Sequence, residues 1–535
     1  MTDDATPPPV TVVPPPLLPA APARLRELSP KMMWWIAAVI TVLTAGAVVA
    51  LWWPATAGLN GAQLVTARLD ALKIGLSIGV GSGGVIALYL AWRRQHSTEA
   101  DLDNRERALV HQQHDAAERR LTELYLKAVE QLGSAQAAVR HGGLYALERV
   151  AQDNPSQRQT VVDVICAYLR SPYTSPSDVG EPRRLGVRRP LLRSATLHRA
   201  PASTRGAGHT QEDRWQEREV RLTAQRLLHR HLQPDNNPDQ PRQTFWPGII
   251  LDLAGATLID FALTRCRVDA VNFQRATFTG DARFAESTFT GDTRFDEASF
   301  TGVARFDRAS FSGGAGFDGA SFTGVAGFSR ASFGGDARFD GASFGGGAWF
   351  GGASFGGDAM FEGAVFGGVA VFEGGVFGGD VGFGRASFTG DAMFRSVTFP
   401  CHARFDGVTF TGEAKFERAT FTRVAGFSGA SFGGDAMFEG ARFGGLTWFN
   451  KAIFTGVAWL GGVKFTGNAW FGGVSFGGDA LFEEATFTGD AVFEEATLTG
   501  DALFEGATRK GIAFNPIESK ANSSNPARTI PSPHK

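Results

Sequence analysis

The sequence predicts a two-helix transmembrane hairpin, then a small α-helical segment, then a four-sided β-solenoid. Three observations predict it. An uncharged run from Met32 to Trp53 precedes a second apolar run from Ile74 to Trp92. A charged stretch with apolar residues three and four apart follows. Beyond Leu251 a large apolar residue recurs every five or six positions as far as Phe504. Composition already sets the chain apart, because 535 residues hold 67 Gly and 44 Phe but 5 Tyr. That skew points to a repeated structural unit. A net charge of -2 argues against a generally basic nucleic-acid binder and a polyanionic disordered chain. Cys166, Cys266 and Cys401 lie too far apart in sequence for a zinc motif or a disulfide framework, which suits a reducing compartment.

Residues 1–31 are rich in Pro and Ala without apolar periodicity and read as a disordered tail. The first span, 32–53, is long enough for a hydrocarbon core of roughly 30 Å. Trp34, Trp35, Trp52 and Trp53 sit at its ends, where indoles favour the headgroup layer. A cleaved secretory signal is the rival reading, but Trp52-Trp53-Pro54 is a poor cleavage context. The second span, 74–92, ends in Arg93-Arg94 and places Gly75, Gly79 and Gly83 on one helix face. Such a face lets another helix approach closely, either the first span of the same chain or a second copy in a homo-oligomer. Arg24, Arg26 and Lys31 before the hairpin, and Arg93, Arg94, Arg105 and Arg107 after it, predict a multi-pass cell-membrane protein with both termini cytoplasmic.

A helical segment is expected over 96–170. Leu121, Leu124, Ala128, Val129 and Leu132 form one apolar face. Helices over 135–151 and 157–169 are separated by Asp153-Asn154-Pro155. Residues 171–211 form a basic Pro/Ser/Arg linker, read as a solvated connector or else as a binder of anionic lipid or nucleic acid, lipid being favoured beside a membrane. A helix and connector over 212–250 would cap the solenoid, and the polar tail 509–535 reads as disordered.

The repeat is the most informative feature. From Phe273 to Phe504 the steps alternate between five and six residues with no insertion, and 41 of 43 positions are Phe. Leu460 and Leu498 are the other two, and upstream Leu253, Leu258, Leu263, Val268 and Phe273 keep a strict step of five. A small residue stands two positions earlier, as at Ala276, Ala298 and Ala309. A helix of this composition would carry the helix-weakening cost of Gly, about 1 kcal/mol each, every few residues. Two 11-residue units instead make a coil with four inward points, Phe on Phe between coils and Gly at the corners in sharp or positive-φ turns.

These units resemble the bacterial pentapeptide-repeat family, in which a small residue precedes a central Leu or Phe by two. Ala256-Thr257-Leu258 and Val271-Asn272-Phe273 fit the five-residue unit, and the alternation of five and six resembles a Phe-rich variant. The resemblance covers about 251–508 and implies a right-handed quadrilateral β-helix, here joined to a membrane anchor. Most such members have no defined activity, so it also implies a protein without catalysis. No cofactor or metal is expected. His111 and His114, and His229 and His231, lack Cys or acidic partners at ligand spacing.

Residues just before the Phe should face outward, in columns built from every second unit of the repeat. One column holds Trp349, Val371, Met393, Lys415, Met437, Trp459, Leu481 and Leu503. The other includes Arg294, Arg338, Met360, Arg404, Trp448, Trp470 and Val492. Exposed apolar columns of this length mark contact surfaces, so the expected function is a membrane-tethered scaffold that presents the rod to a protein partner. The alternative is a DNA-mimicking regulator of a type II topoisomerase, suggested by the acidic last coils and by the family resemblance. Direct nucleic-acid binding is not expected.

Overall fold

The computed structural model describes residues 30–56, 61–176, 211–234 and 243–516, apart from the side chains of some residues in the first two helices. The tail before residue 30, most of the basic linker and the stretch 517–535 lie outside this set. The chain divides into two units, 1–118 and 119–535.

In the first unit, α1 spans Pro30–Thr56, so the helix begins inside the expected tail. The second helix, α2, runs without interruption from Ala62 to Leu132. This corrects the predicted hairpin of two membrane spans. Ile74–Trp92 is not an element of its own but an interior stretch of a 71-residue helix. No Pro lies between Ala62 and Leu132, so nothing forces a break there. Among the described residues one helix is long and apolar enough to cross a membrane, Trp34–Pro54. A multi-pass arrangement with both termini cytoplasmic is therefore not supported. The two helices do touch. Gly75 is buried, and any Cβ there would overlap the side chain of Val48. The Arg68 guanidinium lies 5.5 Å from the Trp52 ring centroid. Gly79 and Gly83 are in α2, but their surroundings lie outside the described residues.

In the second unit, the end of α2 packs through Ala128 and Leu132 on α3 (Ala137–Asp153), α4 (Arg158–Arg170) and α5 (Gln211–Leu232). Pro155–Gln157 makes a short turn between α3 and α4. This cap is tied to the first coil by polar contacts. Gln225 Nε2 donates to the Ile259 carbonyl at 2.7 Å and its Oε1 accepts from the Ile259 N–H at 3.0 Å. Arg170 pairs with Asp252.

The solenoid then winds through four sheets of 12, 12, 11 and 13 strands, parallel but for the last strand of the fourth. The first face starts at Leu251–Asp252, the second at Thr257–Ile259, the third at Ala282–Arg283 and the fourth at Arg267–Val268. Ladder partners are two repeat units apart, as in Ser299 with Ser321 and Phe300 with Phe322. On the first and third faces the strand is Ala-x, with Ala inward and x outward. On the second and fourth it is Ser/Thr-Phe, with Phe inward.

Four stacks of rings fill the tube. Phe278 and Phe300 lie 4.5 Å apart and nearly parallel, as do Phe284 and Phe306 at 4.7 Å. Rings from opposite faces meet edge to face, with Phe284 and Phe295 at 5.3 Å and 81°. Both geometries suit the ring quadrupole, and offset parallel stacking matches the coil spacing of roughly 4.8 Å. Phe261, outside the five-six register, is also buried in this core.

The corners correct one expectation. Two residues past the Phe of the first and third faces, φ is positive, as at Gly319 and Gly407. Arg308, Arg385 and Glu495 hold the same conformation at φ 55–58°, so glycine is not required there. The corner between the second and third faces is different. Gly302, Gly324, Gly346, Gly368, Gly390 and Gly412 stack there, and their φ is not positive. Their constraint is crowding: a Cβ on Gly390 would lie 2.6 Å from the Gly368 carbonyl carbon and 2.7 Å from its oxygen.

The tail also differs from expectation at its start. Thr508–Arg509 continues the fourth face, and Ile512–Ala513 folds back antiparallel on it. Phe514 then sits 5.5 Å from Phe487 and closes the open end of the ring stacks. Gly390→Ala should lower stability by about 1–3 kcal/mol through overpacking against the preceding coil. A thermal melt of the purified chain would register that as a lower Tm, whereas an unchanged Tm would show that the corner has room.

Candidate docking surfaces

The strand register sets the predicted outward column on the third face. Trp349 pairs with Val371, Val371 with Met393, Met393 with Lys415, and Lys415 with Met437. Met437 pairs with Trp459, Trp459 with Leu481, and Leu481 with Leu503. The column is less open than the sequence suggests. Trp349, Trp459 and Leu503 are 44%, 36% and 45% exposed, but Val371 is 9% and the others are half-buried. Neighbours only one coil away cover the sides of each residue. Lys415 divides the column, its ammonium 3.2 Å from Asp391 and also paired with Glu413. These two carboxylates hold it protonated.

Trp448 and Trp470 stack on the first face, on the opposite side of the tube, with ring centroids 6.4 Å apart. Leu446 stands beside them, 39% exposed. The two apolar patches are therefore separate surfaces. Arg338 on the first face is held in an ion pair with Asp318.

Beside each outward column runs a ladder of acids that sequence reasoning missed. Asp318 Oδ1 accepts the Asp340 N–H at 3.1 Å, and Asp340 Oδ1 accepts the Glu362 N–H at 2.8 Å. Asn450 and Asn468 fill the same role toward Gly472 and Asp490. These side chains satisfy corner amides that the ladders leave over. Their sequence signal was the Asp in Gly-Asp-Ala and Phe-Asp-x, recurring in several coils at steps of 22 residues. Burial, and then the neighbouring acids Asp318 and Glu362, raise the Asp340 carboxyl above its ordinary range.

No catalytic arrangement was expected; of the three thiols, those of Cys166 and Cys266 are buried. Burial pushes the Cys166 thiol up to about 12, and it raises the Cys266 thiol as well. Neither is a ready nucleophile at neutral pH. His231 bridges the Thr244 carbonyl at 2.6 Å and Glu148 at 2.8 Å, and stacks on Trp246. It locks α5 to α3 and the connector. His111 and His114 are exposed on α2, and Cys401 and His402 occupy a corner of one coil. Fully buried Arg221 donates to the Leu169 carbonyl at 2.9 Å, the Ser171 carbonyl at 2.6 Å and Glu217 at 2.9 Å. A cleft of about 600 Å³ lies beside it, and its Tyr168 hydroxyl donates to Glu217. Among the described residues no cluster of three or more His, Cys, Asp or Glu could hold a metal ion.

A family model described as pentapeptide repeats matches residues 253–299, and then 317–365, 328–376, 372–420, 405–453, 416–464 and 460–508 in overlapping copies. The carboxyl half is a pentapeptide-repeat solenoid. No curated protein and no solved structure matches the chain. The pentapeptide repeats account for the inward Ala and Phe. The outward columns are where this chain has its own chemistry.

An uncharged side chain that keeps the acceptor oxygen should suit the Asp340 position at neutral pH. A raised folded-state pKa means the folded chain binds protons more readily than the unfolded one, so stability falls as pH rises through that pKa. Asp340→Asn should therefore raise Tm at pH 7 and leave it unchanged at pH 3, where the native carboxyl is protonated in both states. A lower Tm at pH 7 would contradict the assignment.

Proposed function

We propose that this chain is a non-catalytic scaffold, tethered at a membrane by its apolar amino-terminal helix, whose solenoid binds a protein partner. One observation carries the reading: the tube is filled, yet its third face exposes Trp349, Trp459 and Leu503 in one column with Met437 and Leu481, and its first face sets half-buried Trp448 on Trp470. Polar outward residues would support the same core, as the Ser and Thr of the second and fourth faces do. A contact surface is the reading that gives the Trp, Met and Leu columns a role.

Anchoring rests on Trp34–Pro54. We favour a retained span over a cleaved signal because of the Trp pairs at both ends and Pro54 directly after the second pair. A topoisomerase regulator that mimics DNA is the weaker reading. Its acidic surface would have to stay continuous, and here Trp and Met interrupt it on two faces.

Proximity labelling from the carboxyl end in the native cell should enrich a discrete set of proteins. Trp459→Asp, at an exposed site, should cut that enrichment at least several-fold without changing Tm; equal enrichment would remove the third face from the proposal. Val42→Arg with Val49→Arg places two charges at roughly 2.5–3.5 kcal/mol each in the centre of the span. Cell fractionation should find this variant in the soluble fraction, and continued membrane recovery would contradict anchoring by α1.

A further inference from the structure

The carboxyl-terminal half of the third face differs from every other surface of the tube. Met437, Trp459, Leu481 and Leu503 stack over four successive coils with no charge among them. Two residues to one side run Asp435, Asp479 and Asp501, with Val457 between the first two. Two residues to the other side run Glu439, Glu483 and Glu505, with Gly461 between the first two. Coil-to-coil bonds keep both acidic columns in step with the apolar one, Asp501 N–H to Asp479 at 3.0 Å on one side and Gly462 N–H to the Glu483 carbonyl at 2.8 Å on the other. Among the described residues none of these six carboxylates is ion-paired. Lys415 ends the strip one coil before Met437, already paired with Asp391 and Glu413, and Arg442 and Lys464 lie on the fourth face, around the corner.

We propose that this strip of the third face is a docking groove for a basic amphipathic helix of a partner protein, apolar side down and Lys or Arg along both flanks. This rests on the scaffold reading above and names the chemistry of the partner. Three arguments select that occupant. The strip is apolar in the middle and negative on both sides, the complement of a helix with one apolar face bordered by cations. Its spacing also fits: coils repeat at roughly 4.8 Å and helical turns at about 5.4 Å, so consecutive turns meet consecutive coils over three or four steps. Finally, charge disfavours the other occupants. A second copy docked face to face would set carboxylates against carboxylates, and anionic lipid or nucleic acid carries the wrong sign.

Apolar contacts flanked by charge-assisted pairs give binding that weakens with salt. The direct test uses the full chain in nanodiscs. The probe is a fluorescein-labelled amphipathic peptide of Leu and Lys, four helical turns long, with Leu on one helical face and Lys on its borders. Its controls are the same composition scrambled and the same pattern with Glu for Lys.

Fluorescence anisotropy should give saturable binding of the patterned Lys peptide, at least tenfold tighter than either control. Trp459→Ser with Leu481→Ser should weaken it at least tenfold, and so should Glu483→Lys with Glu505→Lys. Trp448→Ser with Trp470→Ser, on the first face, should leave it unchanged, and all variants should keep the parent Tm within a few degrees. Equal binding of the scrambled peptide, loss of binding on substituting the first face instead, or dimerisation of the chain through this strip would each overturn the proposal. Proximity labelling separates this inference from the broader one. If Glu483→Lys with Glu505→Lys keeps the parent's labelled partners, the helix-docking strip is wrong while the scaffold stands. If the parent labels nothing above background, the scaffold reading itself fails.

Discussion

Every coil of the solenoid borrows its hydrogen bonds from the coil before and after it, and that dependence governs the rest of the structure. Strands two or three residues long cannot satisfy their own amides. They form because partners one coil away present the same pattern, so one insertion would shift inward residues outward for both neighbours. The Phe register accepts Leu at 460 and 498 and keeps its length unbroken between 273 and 504. Stacked rings follow from the same register, since coils held at ladder spacing bring each Phe over its predecessor.

Much of this was legible because the repeat writes the geometry many times over. The step of five and six marked the inward points, and the Ala two residues earlier marked the second inward position. The reason for the glycines was not legible. Sequence reasoning assigned them to sharp or positive-φ turns; positive φ is held by Arg385 and Glu495 as well, and Gly390 is required by its distance to Gly368. Crowding between coils depends on how closely two corners approach, and that distance is absent from a single unit's sequence. The Asp ladders were hidden for the same reason: an acid such as Asp336 in Gly-Asp-Ala looks solvated until the Asp358 amide of the next coil is placed beside it.

At the amino-terminal end, the limits came from helix continuity. Apolar length and flanking charge suggested two spans, but helix formation does not stop where hydropathy changes. Ile74–Trp92 and the charged stretch after it have no Pro to divide them, and α2 runs through both. The outward columns were placed correctly along the tube but overestimated in exposure, because flat parallel sheets let each residue shade the next. Val371, between Trp349 and Met393, is the clearest case. What remains open on the third face is narrower than a whole column, and its acidic borders give it more chemical character than an apolar stripe alone.

Spin labels at Ser321 and Thr497 would test the solenoid most directly. Both sites face outward on the second sheet, eight coils apart. Double electron–electron resonance should give a single narrow distance of about 40 Å, the coil spacing of roughly 4.8 Å repeated eight times. A broad distribution, or a mean beyond about 60 Å and so longer than ladder spacing allows, would mean that the phenylalanine register does not wind the chain into a four-sided tube.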